Sequence, residues 1–403
     1  MASYPEIASL ISERVPDMVA LRRELHAHPE LAYEERETAA RVRKRLASLD
    51  GIRVREGVGG TGLVAVLGAE KTGPCVALRA DMDALPMEEE TDLPYRSTVP
   101  GKMHACGHDG HTAALLGAAE VLHAVRDTLG HPVVFIFQPA EEGGAGAARM
   151  IADGVFDDPG PAAIFGLHNM PLATMRFGQI AWRPGPLMAA GGVFDIRIRG
   201  RGGHAAIPQL STDPVAVAGH VITALQHVVS RQADPLTPSV VSITKIQGGS
   251  TYNVIPSEAQ LKGTFRCLDQ IEFEAMRERI SGIVQRIAEA FGAEAEVRFA
   301  PDPYPVLVND ERACGVLDSV CRATDRESDR VAPCPPMMAS EDFAFYTHEI
   351  PGAFFFVGTR PPDQESIPMC HHPAFDFNDD ALPLCIAMHC EIARRFPELW
   401  NAD

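Results

Sequence analysis

The sequence has no apolar run approaching the roughly 18 residues that a membrane-spanning helix needs, so no membrane association is expected. It has no Lys/Arg-rich stripe with interleaved aromatics, and its 36 basic residues face 54 acidic ones, a formal net charge of −18. A chain of that sign repels phosphate backbones, which excludes nucleic acid as an expected partner. The opening segment MASYPEIASLISERVPDM has no basic stretch followed by an apolar core, so no secretory signal is expected. Internal repeats and low-complexity tracts are absent too. The nine cysteines are odd in number and scattered, the usage of free thiols in a reducing compartment, and the cytoplasm is the expected location. What is present is an ordinary globular composition, 46% apolar and 22% charged over 403 residues. At roughly 100–200 residues per domain, that length favours two domains.

The chain order describes them. From residue 1 to about 186, helical and strand-like segments alternate. A helix over about Ile7–His26 and a second over about Glu35–Leu49 precede four short apolar runs, Leu63–Leu67, Val76–Ala80, Val133–Gln138 and Ala162–Leu167, with helices at Thr112–Val125 and Ala145–Ala152 between them. Continuous rather than alternating apolar runs suit strands covered on both faces. The middle of the chain differs: Phe194, Ile196 and Ile198 alternate with Asp195, Arg197 and Arg199, as on a half-exposed strand. A helix (about Asp213–Arg231), two strands (Ser239–Gln247, Ala259–Cys267), a helix (Ile271–Phe291) and a strand (Glu294–Phe299) complete a β-α-β-β-α-β order, that of a ferredoxin-like unit. After about residue 301 the buried type returns, with a helix at Asp310–Thr324, an apolar strand at Ala353–Gly358 and a closing helix at Ala381–Phe396. The expectation is an α/β fold: a largely parallel sheet covered by helices (1–186 and 301–403) with an inserted α+β domain (187–300).

Open α/β sheets bind ligands outside the carboxyl ends of their strands, and those ends are where this chain concentrates its chemistry. Val76–Ala80 runs into Asp81 and Asp83, Val133–Gln138 into Glu141 and Glu142, and Ala162–Leu167 into His168. The Ala353–Gly358 strand leads to Cys370, His371 and His372, and the segment HACGHDGH (104–111) precedes a helix. Thiol, imidazole and carboxylate groups thus converge on one sheet edge, a ligand set suited to a borderline divalent metal. Adjacent glutamates allow a division of labour, one ligating and the other acting as general base toward a water whose pKa the metal lowers. Asp83 is placed to accept the far N–H of a ligating imidazole.

The segments ALRADMDALP, MHACGHDGHTA, FQPAEEGGAGA, GLHNMP, GRGGHAA, NVIP, GTFR, SEDF and HHPAFDFND occur in the order and spacing of a known family. Over about residues 15–396 the chain resembles the hippurate hydrolase and auxin-conjugate hydrolase branch of the aminoacylase–carboxypeptidase metallopeptidases. The resemblance implies two divalent metal ions per subunit, held by Cys106, His108, Glu142, His168 and His371, with Glu141 as general base and Asp83 in support. Asp81 stands where other branches carry a ligand His. The metals implied are Zn²⁺ or Mn²⁺, with Co²⁺ and Ni²⁺ as alternatives. His371 matches the family position better than His372, because the pattern is His, one residue, then Pro.

The resemblance also implies that the inserted domain serves dimerisation and as a lid. His204 would polarise the scissile carbonyl from the partner subunit of a homodimer, while Asn253 and Arg266 would hold the substrate's α-carboxylate, a task that suits the Arg fork. A dimer of dimers is the larger alternative. The expected activity is metal-dependent hydrolysis of the amide of N-acyl (acetyl, benzoyl or other aroyl) amino acids. A dipeptidase or carboxypeptidase would share the same centre, a silent binding protein would share the fold, and a thiol mechanism would make Cys106 the nucleophile with His108 as base.

Overall fold

The computed structural model describes residues 4–324, 326–365 and 367–401. It divides into two compact units, Met1–Gly185 with Val308–Pro335 and Asp342–Asp403, and Pro186–Leu307 with Pro336–Glu341. The second unit therefore reaches past residue 300 and recruits a later segment. Ala189 N donates to the carbonyls of Met337 and Ala339 (3.1 and 2.9 Å), long-range bonds that local patterning does not announce.

The first unit is built on an eight-stranded sheet in the order Ile52–Val58, Gly62–Leu67, Val133–Gln138, Val76–Asp81, Ala163–Met170, Gly352–Gly358, Ile180–Ala181, Arg330–Val331. The four strands from Val133–Gln138 to Gly352–Gly358 run parallel. The Gly62–Leu67 strand is antiparallel to both its neighbours. Every residue of Gly62–Leu67, Val76–Asp81, Val133–Gln138 and Gly352–Gly358 is buried, the outcome of sheet faces covered by helices. Tyr4–Ala27, His108–Ala124 and Leu382–Trp400 pack on one another, and their apolar faces share one cluster with Phe135, Phe137, Phe165 and Phe355. Truncating such a fully buried Phe to Ala typically costs about 3–5 kcal/mol. Because the central strands are parallel, their carboxyl ends lie on one edge: Asp81 pairs with Gln138, and His168 with Phe356.

The second unit has a four-stranded antiparallel sheet in the order Ser239–Gly248, Glu258–Cys267, Ala190–Arg199, Glu294–Phe299. This is the ferredoxin-like arrangement of a β-α-β-β-α-β chain. Along Ala190–Arg199 buried and exposed residues alternate. Phe194, Ile196 and Ile198 join a core with residues of the helices Pro214–His227 and Gln270–Ala290, among them Val217, Phe273 and Ile280. Both helices start on an aspartate whose side chain accepts backbone N–H bonds, Asp213 (followed by Pro214) and Asp269. No helix among the described residues is long and apolar enough to cross a membrane.

Candidate metal centre

The segment after Met103 enters the site in extended turns and begins a helix at His108. Gly107 makes that start possible: at φ 94° it sits in the left-handed region, and a Cβ there would come 2.2 Å from Asn169 Oδ1. The helix start holds His108 and, one turn on, His111 at the sheet edge. The turn after Val133–Gln138 carries the two glutamates. It closes on Gly146, where a Cβ would fall 1.7 Å from the carbonyl of Pro139. Ala140 and His371 are themselves at positive φ, 55° and 67°. Strained backbone of this kind persists where surrounding structure fixes a functional geometry.

Among the groups of potential ligands whose ligand atoms lie within 4.8 Å of one another are Cys106, His108 and His168; Cys106, Glu142 and His371; His108, Glu141 and Glu142; and Asp81, His108 and His111. Cys106 Sγ lies 3.3 Å from His168 Nε2, and His371 Nε2 lies 3.0 Å from Glu142 Oε1. His372 is exposed and accepts the N–H of Ala374 instead. All five residues that the family resemblance assigns as ligands are thus brought together within the first unit, with Glu141 beside them.

Asp83 does something the sequence did not suggest. Its carboxylate accepts the backbone N–H of both Glu141 and Glu142, each at 2.9 Å, and so fixes the glutamate turn. The His108 Nδ1–H donates most closely to the Asp83 carbonyl oxygen (2.9 Å), with the carboxylate at 3.4 Å. The thiol-nucleophile expectation also needs correction: the imidazole in hydrogen-bond contact with Cys106 is His168, not His108. The neighbouring Cys370 side chain, together with burial, holds the Cys106 thiol well above its usual range.

The donor set fits a divalent cation. His108 is fully buried, and its Nε2 has no hydrogen-bond partner. Burial works against charge on this ring, but the carboxylates of Asp81, Asp83 and Glu142 outweigh it and push the imidazole up to about 10. Glu142 is held below the usual carboxylate range, against burial, by His371 and His108, whereas burial drives His168 far below its normal value and keeps it neutral. The carboxylates around His108, with Asp81 Oδ2 3.7 Å from its Nε2, suit a cation at this nitrogen, and a metal ion bound there would take the place of the imidazole's second proton.

Further in, a buried polar layer supports these groups. Arg79 bonds Gln138 Oε1 (2.8 Å), Asp81 Oδ2 (2.6 Å) and Asp342 Oδ1 (3.1 Å), and Asp342 also accepts from Gln138 and from the Ala147 N–H. His111 bridges Asp81 and Asn169, at 2.7 Å each. Apart from Asp81, none of these was assigned from sequence, although Asp342 lies in SEDF and His111 in HACGHDGH. A second layer ties the loop after His371 to the first helix: Arg22 bonds Asp376, Asp379 and the Phe377 carbonyl. His26 lies 2.8 Å from Asp109.

The remaining assignments fall in the second unit. His204 and Asn253 are exposed, on a small ribbon in which His204 pairs with Val254. Arg266 is half-buried and bonds Ser340.

The profile of the Peptidase family M20/M25/M40 matches residues 77–395, the span that contains every ligand candidate. The chain belongs to this family. Among curated M20 relatives it is similar to an N-acetyl-L-cysteine deacetylase of Bacillus subtilis (43% identity, 91% of this chain and 84% of that protein). It is also similar to the IAA-amino acid hydrolase ILR1-like 4 of Arabidopsis thaliana (41% identity, 94% of this chain and 85% of that protein). Among solved structures it resembles the Bacillus subtilis YXEP protein, described as a dinuclear metal-binding peptidase from the M20 family. That match has a TM-score of 0.81 and 36% identity over 96% of this chain and 99% of that one. Membership makes this protein a metallohydrolase of a dinuclear-centre family, acting on amide bonds.

Proposed function

We propose that the protein is a metal-dependent amidohydrolase that converts an N-acyl amino acid into a carboxylic acid and a free amino acid. The observation that carries this reading is the glutamate pair. Glu142 groups with Cys106 and His371, Glu141 stands next to it in the group with His108, and one carboxylate, that of Asp83, clamps both backbone amides. The deacetylase and auxin-conjugate hydrolase likenesses support the substrate class.

In this reading Cys106, His108, Glu142, His168 and His371 would hold two divalent ions, Zn²⁺ or Mn²⁺, with Co²⁺ or Ni²⁺ as alternatives. Bound there, the ions supply Lewis-acid polarisation of the amide carbonyl and a lowered pKa for water. Glu141 takes the water's proton and returns it to the departing nitrogen. The residue is 6% exposed, and the Asp342 N–H approaches Oε1 at 3.4 Å, which orients the carboxylate. Asp83 sets the height of the glutamate turn and the tautomer of His108. His204 donates to the developing oxyanion from the partner of a homodimer, and Asn253 and Arg266 hold the α-carboxylate. The cytoplasm as its place is supported by nine free thiols. Assaying release of free amine from N-acetyl, N-benzoyl and other N-aroyl amino acids, with and without a chelator, tests the proposal. Cleavage of dipeptides alone, or cleavage indifferent to the chelator, overturns it.

A further inference from the structure

Cys370 belongs to none of the ligand groups, yet it lies against one of their members. The loop that carries His371 returns to HACGHDGH, where the His371 N–H donates to the Ala105 carbonyl at 2.7 Å. That bond sets Cys370 beside Cys106. Cys370 Sγ is 3.8 Å from the Cys106 carbonyl oxygen and 3.6 Å from Asn169 Nδ2. Cys106 is 7% exposed, whereas Cys370 is half-buried and more open to small solutes.

We propose that Cys106 and Cys370 form an oxidation-sensitive thiol pair, joined as a disulfide by a hydroperoxide when the site holds no metal and protected when it does. The more exposed Cys370 sulfur attacks hydrogen peroxide: an S–O bond forms, the O–O bond breaks, and the leaving hydroxide departs as water with the thiol's proton. The Cys106 sulfur then attacks the Cys370 sulfenic sulfur, forming S–S and breaking S–O, and a second water leaves. Two thiols are oxidised by two electrons in all, and one peroxide is reduced to two waters. The disulfide takes from the site the one sulfur shared by the Cys106–His108–His168 and Cys106–Glu142–His371 groups. Oxidation and metal loading therefore compete for the same atom. The inference rests on Cys106 being a ligand, as in the proposed function.

The test needs no substrate. Protein stripped by a chelator, its fold checked by circular dichroism, and protein reloaded with Zn²⁺ are each treated with hydrogen peroxide. Both are then denatured, their thiols counted, their non-reduced peptides mapped by mass spectrometry, and their metal uptake measured. The stripped protein is expected to lose two of its nine thiols to a Cys106–Cys370 link and to lose metal uptake until dithiothreitol restores it. The loaded protein is expected to keep all its thiols. Cys370→Ser should bind metal normally and form no link. Absence of the link with normal metal uptake, an equal link with and without metal, or the same thiol loss in Cys370→Ser overturns the pair. A link that leaves uptake intact instead removes Cys106 from the ligand set, and with it the reading on which the pair depends.

Discussion

Glu141 and Glu142 are neighbours in sequence with different surroundings, and the difference is testable one atom at a time. Glu142 lies 3.0 Å from His371, whereas Glu141 faces the backbone N–H of Asp342. Glu141→Gln keeps the shape and that hydrogen bond but removes the base. Turnover is expected to fall by a factor on the order of 10² or more, while metal content by elemental analysis stays at the wild-type level. Near-normal turnover would remove Glu141 from the role. Cys106 is the complementary case, since serine offers a poorer ligand than thiolate to borderline metals. Cys106→Ser should purify with less metal and bind it more weakly in a titration, and unchanged stoichiometry and affinity would place the residue in the core. The residues that touch these groups directly could be picked out in the sequence, because four potential ligands crowd into HACGHDGH and two glutamates adjoin. Arg79, Gln138 and Asp342 could not. Their meaning lies in bonds across 59, 204 and 263 residues of chain, and a buried arginine within an apolar strand gives no local sign of its partners.

Among the elements, the opening helix Tyr4–Ala27 has a function that its amphipathic pattern does not reveal. It carries His26 into a buried contact with Asp109, the residue after His108, at 2.8 Å, and with Glu89 at 3.4 Å. Burial lowers the basicity of this ring, but the bonds to Asp109 and Glu89 outweigh it and raise its pKa to about 9. The unfolded value is about 6.5, so the folded state binds the proton more tightly. The stabilisation is fully present below pH ~6.5 and is lost as the pH rises through 9, with a size on the order of 3 kcal/mol shared with the matching depression of Asp109. Denaturant midpoints of wild type and His26→Gln should differ clearly at pH 6 and converge by pH 9.5. A difference that stays constant across this range would show that the proton is not involved. The legibility of the elements themselves followed burial. Strands covered on both faces read as apolar runs, and Val133–Gln138 matches its run residue for residue. The strand Ile52–Val58 went unread because it is the outer, half-exposed edge of the sheet, where Arg53, Arg55 and Glu56 interrupt the apolar pattern.

At the scale of the whole molecule, the open question is how many chains complete one site. Every proposed metal ligand and Glu141 lie in the first unit, whereas His204, Asn253 and Arg266 lie in the second. Around His204, the side chains of Ile207, Leu210, Tyr252 and Val254 are exposed, and the strand Ser239–Gly248 forms an open sheet edge ten residues long. Apolar surface next to an unpaired strand edge is what soluble chains ordinarily cover with a partner, and a closed two-fold dimer is the commonest such partner. If His204 serves the centre of the other chain, His204→Ala and Glu141→Gln homodimers are each nearly inactive, yet they complement. Unfolded together and refolded, half the dimers are mixed, and each mixed dimer holds one site with an intact Glu141 from one chain and an intact His204 from the other. Activity should return to roughly a quarter of the wild-type value, because half the dimers carry one working site of two. Subunit exchange verified by mass with no recovery of activity would mean that His204 serves its own chain or takes no part in the reaction.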